Sequence, residues 1–438
     1  MTDKNMGFRI LGEGKRISND TRITNLNNND LIVGSTGCGK TGGYVIPNIL
    51  HSQSSMIIAD TKCNLHKKLS ADLRMRGYEI HVVDFVNPEK SSAYNPLDYI
   101  RFNDKTQNYN EQDIMSISAV LIPMSYAKDD AFWVISARTV LNCLIGYVLE
   151  AFEPSDRNLT SVLAVFKVLT SQVENTNTNK NGQPFVTFLE EWKLQNPESF
   201  AVKKYEMFKG VLGTEKTWSC IFQFVSSGLD LFDFNEAKEM FSGESTFKIN
   251  DIGKKKCAVF LNISDTDRTL DKLVNIFYTQ AFQNLCREAD ENTDGRLDVP
   301  VRIFLDDFAT NTYIPDFEKL ISVIRSREIS VSIILQSLTQ LETLYTTPQA
   351  TTIVNNCDHI VYLGSNDLKT AEYVATKMSK SPESVLCMPT NTMYLLSRGE
   401  KGECLNKIKP YSMKLIGETE MITPKVKSED EEEREFYF

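Results

Sequence analysis

The run Gly34-Ser35-Thr36-Gly37-Cys38-Gly39-Lys40-Thr41 sets three glycines, an amine and a hydroxyl within eight residues, after the apolar Leu31 to Val33 and before a stretch of helical spacing. Glycines let successive backbone N–H groups turn inward around an anion, and the N-terminus of the following helix adds positive potential. Lys40 can reach the outer oxygens of a triphosphate, and Thr41 offers a hydroxyl to the magnesium ion that travels with it. All eight residues are thus candidate ATP contacts, and Thr41 is also a candidate Mg2+ ligand. A chance glycine loop is the bland alternative, against which the strand before and the helix after both argue.

A second, acidic site is needed to hold the metal and polarise water. Val301-Arg302-Ile303-Phe304-Leu305-Asp306-Asp307 supplies two carboxylates at the end of an apolar run. Asp306 is the expected metal ligand, and Asp307 the group that orients or deprotonates an attacking water. Gln336 closes the next apolar run, where its amide can sense the outer phosphate. Arg325 and Arg327 fall between those two runs, where one guanidinium can reach a neighbouring subunit's phosphate. The competing readings are a solvated turn, a polar strand end and a solvated helix face.

Those groups need a frame. Short apolar runs recur at Leu31 to Gly34, Met56 to Asp60, Ile80 to Asp84, Cys257 to Ile263, Val301 to Leu305, Val331 to Gln336 and His359 to Leu363. Runs this continuous, bounded by polar turns, predict strands buried on both faces of a parallel sheet covered by helices, an α/β fold. Residues 1–29 read as a polar loop. From about 100 to 245 the strand-like runs give way to helical spacing, as in Ile114 to Ile122, Phe132 to Phe152 and Leu159 to Leu169. The expected layout is a discontinuous nucleotide-binding domain over 1–100 and 246–422, an all-α insertion over 101–245, and an acidic disordered tail over 423–438. An Asn/Thr/Gly-rich loop, Asn175 to Pro184, falls inside the insertion, and Leu270 to Leu285 carries an apolar helical stripe.

Composition bounds the class. Of 438 residues, 41% are apolar and 24% charged, which suits a folded enzyme of two or three domains. Net charge is −10, half of it in the segment Glu429 to Glu435, so bulk charge does not announce a nucleic-acid partner. The nine cysteines form no CxxC pair and the four histidines show no metal spacing, which fits a reduced, cytoplasmic compartment. No secretory leader is evident, and the longest mostly apolar run, Thr139 to Phe152, falls short of the ~18 residues a membrane span needs. Lys254 to Lys256 and the Phe132-Trp133 pair are weaker candidates for a DNA path. A solvated turn and core packing, respectively, account for them better.

With these motifs in place, the chain resembles the TraG-type coupling-protein ATPases of type IV secretion and bacterial conjugation. The resemblance rests on Gly34 to Thr41 followed by Val45-Ile-Pro-Asn48, on Ile58-Ala-Asp60-Thr-Lys62, Tyr94-Asn-Pro-Leu97, Phe132-Trp133 with Ala137-Arg138, and Ser264-Asp-Thr-Asp267. It continues through Asp306-Asp-Phe-Ala309, Ile314 to Ile321, Ile324-Arg-Ser-Arg327, Ser330 to Ser337, Val354 to Asp358, Tyr362-Leu-Gly364 and Thr370-Ala-Glu372, covering about residues 20 to 400.

The resemblance implies a RecA-like P-loop motor domain whose helical insertion recognises substrate. It also implies a homo-hexameric ring at the cytoplasmic face of a secretion channel, with single-stranded DNA and its relaxase, the relaxosome, as cargo. The acidic tail would resemble tails that dock relaxosome components. Two departures carry expectations of their own. The family usually begins with membrane-spanning helices, so this sequence reads as a soluble member brought to the membrane by a partner, or as an excised cytoplasmic portion. The usual Asp-Glu is here Asp306-Asp307, and a carboxylate displaced by ~1 Å can cost about 100-fold in rate. One rival is therefore an ATP-binding adaptor that recruits substrate and hydrolyses weakly or not at all. A small-molecule kinase or GTPase is another, disfavoured by the absence of an NKxD motif and by Gln336 on the run after the paired carboxylates.

Overall fold

The computed structural model describes residues 6–126, 130–178, 187–241, 244–308 and 313–408. The expected acidic tail, Ala309 and residues 179–184 of the Asn/Thr/Gly-rich loop lie outside them. The first residues of that loop end a helix, Leu159–Thr178.

The apolar runs form strands. β1 (Phe8–Gly12) and β2 (Lys15–Ser18) make an antiparallel hairpin. β3 (Asp30–Val33), β4 (Ser55–Asp60) and β5 (Glu79–Asp84) follow, then a small hairpin of β6 (Phe102–Asn103) and β7 (Asn108–Tyr109). The later strands are β8 (Cys257–Asn262), β9 (Val301–Leu305), β10 (Ile329–Leu335), β11 (His359–Tyr362), β12 (Thr392–Ser397) and β13 (Glu403–Asn406).

Among the described residues nine strands share one sheet in the order β13-β12-β11-β3-β10-β9-β4-β8-β5. From β11 across to β8 every pairing is parallel, and every residue of those six strands is buried. Parallel strands of this kind need helical cover on both faces, which is why they read as continuous apolar runs without alternation. β12 and β13 add an antiparallel edge. β13 alternates half-buried with exposed residues and has no apolar run to announce it, whereas β12 carries the buried apolar run Met393 to Leu396, which was not among the strands expected.

The hairpin β1–β2 lies in the stretch expected as loop. What the sequence did not reveal is its anchor: Asn48 Nδ2 donates to Ile10 O at 2.8 Å while Ile10 N donates to Asn48 Oδ1 at 2.8 Å. One side-chain amide thus satisfies both backbone groups of Ile10, in a strand that pairs only with β2 among the described residues.

The chain divides into two compact units. The first holds residues 1–82, 249–265 and 285–438, and the second 83–248 and 266–284. The second unit therefore starts before 101 and takes in most of the helix Asp271–Glu291. It is mainly helical, with the β6–β7 hairpin as an exception, where the Phe102 and Tyr109 rings pack 4.9 Å apart.

Its central helix, Ala131–Ala151, starts where the Asp130 side chain accepts from Phe132 N. Gly146 lets the helix Phe200–Phe208 come close: a Cβ there would stand 2.8 Å from Phe200 Cδ1. At 21 residues and a mean hydropathy of 1.6 this helix is long and apolar enough to span a bilayer, yet 61% of its most apolar window is buried inside the protein. The run from Thr139 understated its length because Ser136 and Arg138 interrupt the apolar residues. Arg138 is accommodated by donating to the carbonyls of Ile122 and Ala119, at 2.8 and 3.3 Å. Core packing does not hold for Phe132, which is 46% exposed on the first turn and meets Trp133 edge-on.

Candidate functional site

Backbone geometry explains the glycines first. Gly37 and Gly39 adopt φ of +80° and +96°, the left-handed region that other residues enter only at a cost. At Gly34 a Cβ would stand 2.4 Å from Cys38 Sγ and 2.9 Å from Leu363 Cβ. The loop is held from both neighbouring strands, with Gly34 N donating to Leu335 O at 3.0 Å and Ser35 N to Gly364 O at 2.8 Å. Lys40 Nζ folds over the loop, donating to the carbonyls of Gly34 at 2.7 Å and Ser35 at 3.2 Å.

The helix after the loop opens with a π turn, Thr41–Val45, before continuing as Ile46–His51. Pro47 has no N–H to give the carbonyl four residues back, so the wider turn relieves a mismatch that a regular helix would have to bear. Buried anchors fix this turn. Tyr44 Oη donates to Asp30 Oδ2 at 2.6 Å, and Asn48 Nδ2 donates to Tyr44 O at 2.8 Å. Asp30 also pairs with Arg9 at 2.9 Å and with Arg302 at 3.3 Å, so β3, β9 and the loop helix meet at one buried carboxylate.

Parallel register then delivers the acids. β10 lies between β3 and β9, pairing Leu335 with Val33 and Ile333 with Leu305. Residues that follow the three strands consequently emerge on one edge of the sheet. Thr41 Oγ1 donates to Asp306 Oδ2 at 3.3 Å. Asp306 is 8% exposed, and its carboxyl is pushed up to about 6 by burial and then by the neighbouring Asp307, against the pull of Lys40. Asp307 sits at φ 47°, a left-handed conformation unusual for a side-chain-bearing residue, and donates its N–H to Asp306 Oδ1 at 3.1 Å. Gln336 N donates to Gln340 Oε1 at 3.0 Å, and its carbonyl accepts from Ser365 at 3.2 Å.

This donor set fits a magnesium-bound triphosphate. The hydroxyl of Thr41 and the carboxylate of Asp306 are hard oxygen ligands, and magnesium takes one or two of these with phosphate oxygens and water completing its shell. Among the described residues no group of three or more His, Cys, Asp or Glu side chains is arranged to hold a metal by itself. Asp60, at the end of β4, is otherwise engaged: its carboxylate accepts from Asn64 N and His66 N at 3.0 and 3.1 Å, capping the helix Leu65–Met75.

The structure thus gathers Gly34 to Thr41, Asp306, Asp307 and Gln336. It does not place Arg325 or Arg327 with them. Both precede β10, at the opposite end of that strand from Gln336. Arg325 is exposed beside a cleft that Asn28, Ser54 and Pro300 also line, all residues entering strands from the far edge. Arg327 is held by Asp290 in a two-pronged pair at 2.8 and 3.1 Å. Lys254 and Lys255 are likewise paired, with Glu288 at 3.0 Å and Glu79 at 2.7 Å, as a solvated turn would be.

Sequence reading missed Asp30, Tyr44 and Arg302. Arg302 left a trace, since a lone arginine inside Val301 to Leu305 needs a buried partner. Tyr44 left none.

A family model for the type IV secretory system in conjugative DNA transfer matches residues 11–381. No curated protein matches the chain. Among solved structures it is similar to the bacterial conjugative coupling protein TrwBdeltaN70 in complex with sulphate, at 15% identity and a TM-score of 0.64, covering 88% of this chain and 86% of that one. The plasmid coupling protein TrwB in complex with ADP and Mg2+ is similar at 15% identity and a TM-score of 0.61, again over 88% and 86%. VirB4 of Thermoanaerobacter pseudethanolicus is similar at 13% identity and a TM-score of 0.55, over 92% of this chain and 97% of that one. Likeness at these identities establishes the fold, a RecA-like P-loop α/β architecture around a mostly parallel sheet.

Proposed function

The chain belongs to the type IV secretory system conjugative DNA transfer family, and on that premise we propose that it is an ATP-driven coupling protein that recruits single-stranded DNA with its relaxase and moves it toward a secretion channel. The observation that carries this reading is the 3.3 Å contact between Thr41 Oγ1 and Asp306 Oδ2, made by two elements 265 residues apart in sequence. A phosphate-binding loop and a metal-binding carboxylate meet at the edge of one sheet, with the strand bearing Gln336 between them.

In this reading Gly34 to Thr41 bind the triphosphate of ATP, and Lys40 leaves its loop carbonyls to neutralise the outer phosphates. Thr41 and Asp306 hold Mg2+, which when bound withdraws charge from the phosphate oxygens. Asp307 accepts a proton from water as the water oxygen bonds to the γ-phosphorus and the bond to the β–γ bridging oxygen breaks. Gln336 orients that water or the γ-phosphate. Arg325 stands at the far edge of its own sheet, separated from its own site by a strand of seven residues, on the order of 20 Å. The reading takes from the family resemblance a ring, a homo-hexamer, in which this arginine reaches a neighbouring copy's phosphate and each subunit completes the next. The helical unit recognises cargo, and a partner holds the assembly at the cytoplasmic face of the membrane.

Asp307 favours a second reading, an adaptor that binds ATP and recruits substrate while hydrolysing it slowly. Its carboxylate is one methylene short of the family's usual glutamate and is held in a left-handed conformation. Steady-state ATP turnover with and without single-stranded DNA, in the parent and in Lys40→Ala, separates the two. A motor shows DNA-stimulated turnover that Lys40→Ala abolishes. Turnover unaltered in Lys40→Ala refutes the site, and binding without stimulation selects the adaptor.

A further inference from the structure

Lys407 and Ile408, the described residues after β13, lie against the phosphate loop and its helix. Lys407 N donates to Asn391 O at 2.9 Å, and Ile408 O lies 3.0 Å from where a Cβ on Gly43 would stand. Glycine at 43 is therefore what allows this segment onto the first turn of the loop helix. A shallow cleft opens at the contact, lined by Cys38, Gly39 and Gly43 from the loop, by Leu11 and Met393, and by Lys407.

Lys407 is half-buried, and among the described residues no carboxylate forms an ion pair with it. Burial pulls its amine below the usual lysine range. A partly desolvated amine beside an apolar wall is a donor in want of acceptors, the pairing by which small-molecule sites orient a heterocycle or a sugar. Direction agrees with this. In the nucleotide-binding reading above, the loop N–H groups take the outer phosphates and Thr41, beside Asp306, takes the metal, so the rest of a nucleotide leaves along the first turn of the helix. Gly42 carries no side chain to obstruct it, and over Gly43 the neighbour is the Ile408 backbone.

We infer that Lys407 and Ile408 form the nucleoside end of the site, with the lysine amine donating to sugar or base acceptors of a bound nucleoside triphosphate. The inference rests on the nucleotide-binding reading above.

Binding of Mg-ATP and of Mg-tripolyphosphate, which has no nucleoside, tests it in the full chain by calorimetry. Lys407→Ala should weaken ATP about tenfold, the worth of one hydrogen bond from a charged donor, and leave tripolyphosphate within about twofold. Lys407→Arg should recover part of the loss, and thermal unfolding without nucleotide should match the parent. Lys40→Ala should weaken both ligands. If Lys407→Ala binds ATP as the parent does, or loses both ligands equally, the assignment is overturned. A parent that binds neither ligand overturns the nucleotide reading itself, a result distinct from either.

Discussion

The phenol of Tyr44 donates to Asp30 Oδ2 at 2.6 Å, tying the helix that follows the phosphate loop to the strand that precedes it. Asp30 in turn accepts from Arg302 on β9, four residues before Asp306. The two halves of the site are thus braced against each other at the opposite end of the sheet from the chemistry. The brace is buried, with Arg9 and Asp30 at 1% and 0% exposure, so removing Asp30 leaves two buried guanidiniums without a counter-charge.

Tyr44→Phe keeps the ring and removes the donor. It should cost about 1–3 kcal/mol in urea-induced unfolding, and Asp30→Ala, which leaves two buried guanidiniums unpaired, about 3–5 kcal/mol. Equal midpoints for parent and Tyr44→Phe would show that the bond braces nothing.

Asp306 ties stability to pH. Its carboxyl is raised to about 6 from an ordinary 3.8, so the folded state holds the proton more tightly than the unfolded chain. The associated stability is fully present below pH 4 and is lost as pH rises through 6, on the order of 2–3 kcal/mol in all. Without nucleotide or magnesium, Asp306→Asn should therefore be more stable than the parent at pH 8 and about equal to it at pH 4, by urea unfolding at each pH. Mg-ATP affinity in the parent should run the other way, weakening as pH falls through 6 and the metal ligand is protonated. A parent affinity flat between pH 5 and 8 would remove Asp306 from the metal.

Asp307 sets the rate. Asp307→Asn should bind ATP with parental affinity and turn over at least about 100-fold more slowly, the range for loss of a general base. Asp307→Glu restores the missing methylene and should raise turnover if reach limits the parent. Single-turnover hydrolysis of labelled ATP reads both variants, and parental rates in Asp307→Asn would exclude the assignment.

The two arginines should separate cleanly. Arg325→Ala should abolish DNA-stimulated turnover without changing ATP affinity, because it acts on a neighbouring subunit's phosphate. Arg327→Ala breaks a partly exposed pair with Asp290 and should cost only about 0–1 kcal/mol of stability, with turnover retained. Mixing Arg325→Ala with Lys40→Ala subunits provides the cross-check, since an interface formed by two intact half-sites should recover some activity.

Much of the site was legible in residue order. The phosphate loop announced itself because glycine spacing, a lysine and a hydroxyl are required locally, within one turn of chain. Strands buried on both faces have an unmistakable composition, so β3, β4, β8, β9, β10 and β11 could be read directly. What sequence could not give was adjacency. Nothing in the order of residues says that β10 inserts between β3 and β9, yet that insertion puts Thr41 within reach of Asp306 and leaves Arg325 on the far edge. Long-range placement also decided the fates of single residues. Arg327 pairs with Asp290 and Lys254 with Glu288, Tyr44 donates to Asp30, and Lys407 lies beside the phosphate loop at the end of the antiparallel edge strand β13. Local chemistry is encoded in neighbouring residues, whereas pairing between distant segments is settled by the burial of whole strands and helices, which no single motif contains.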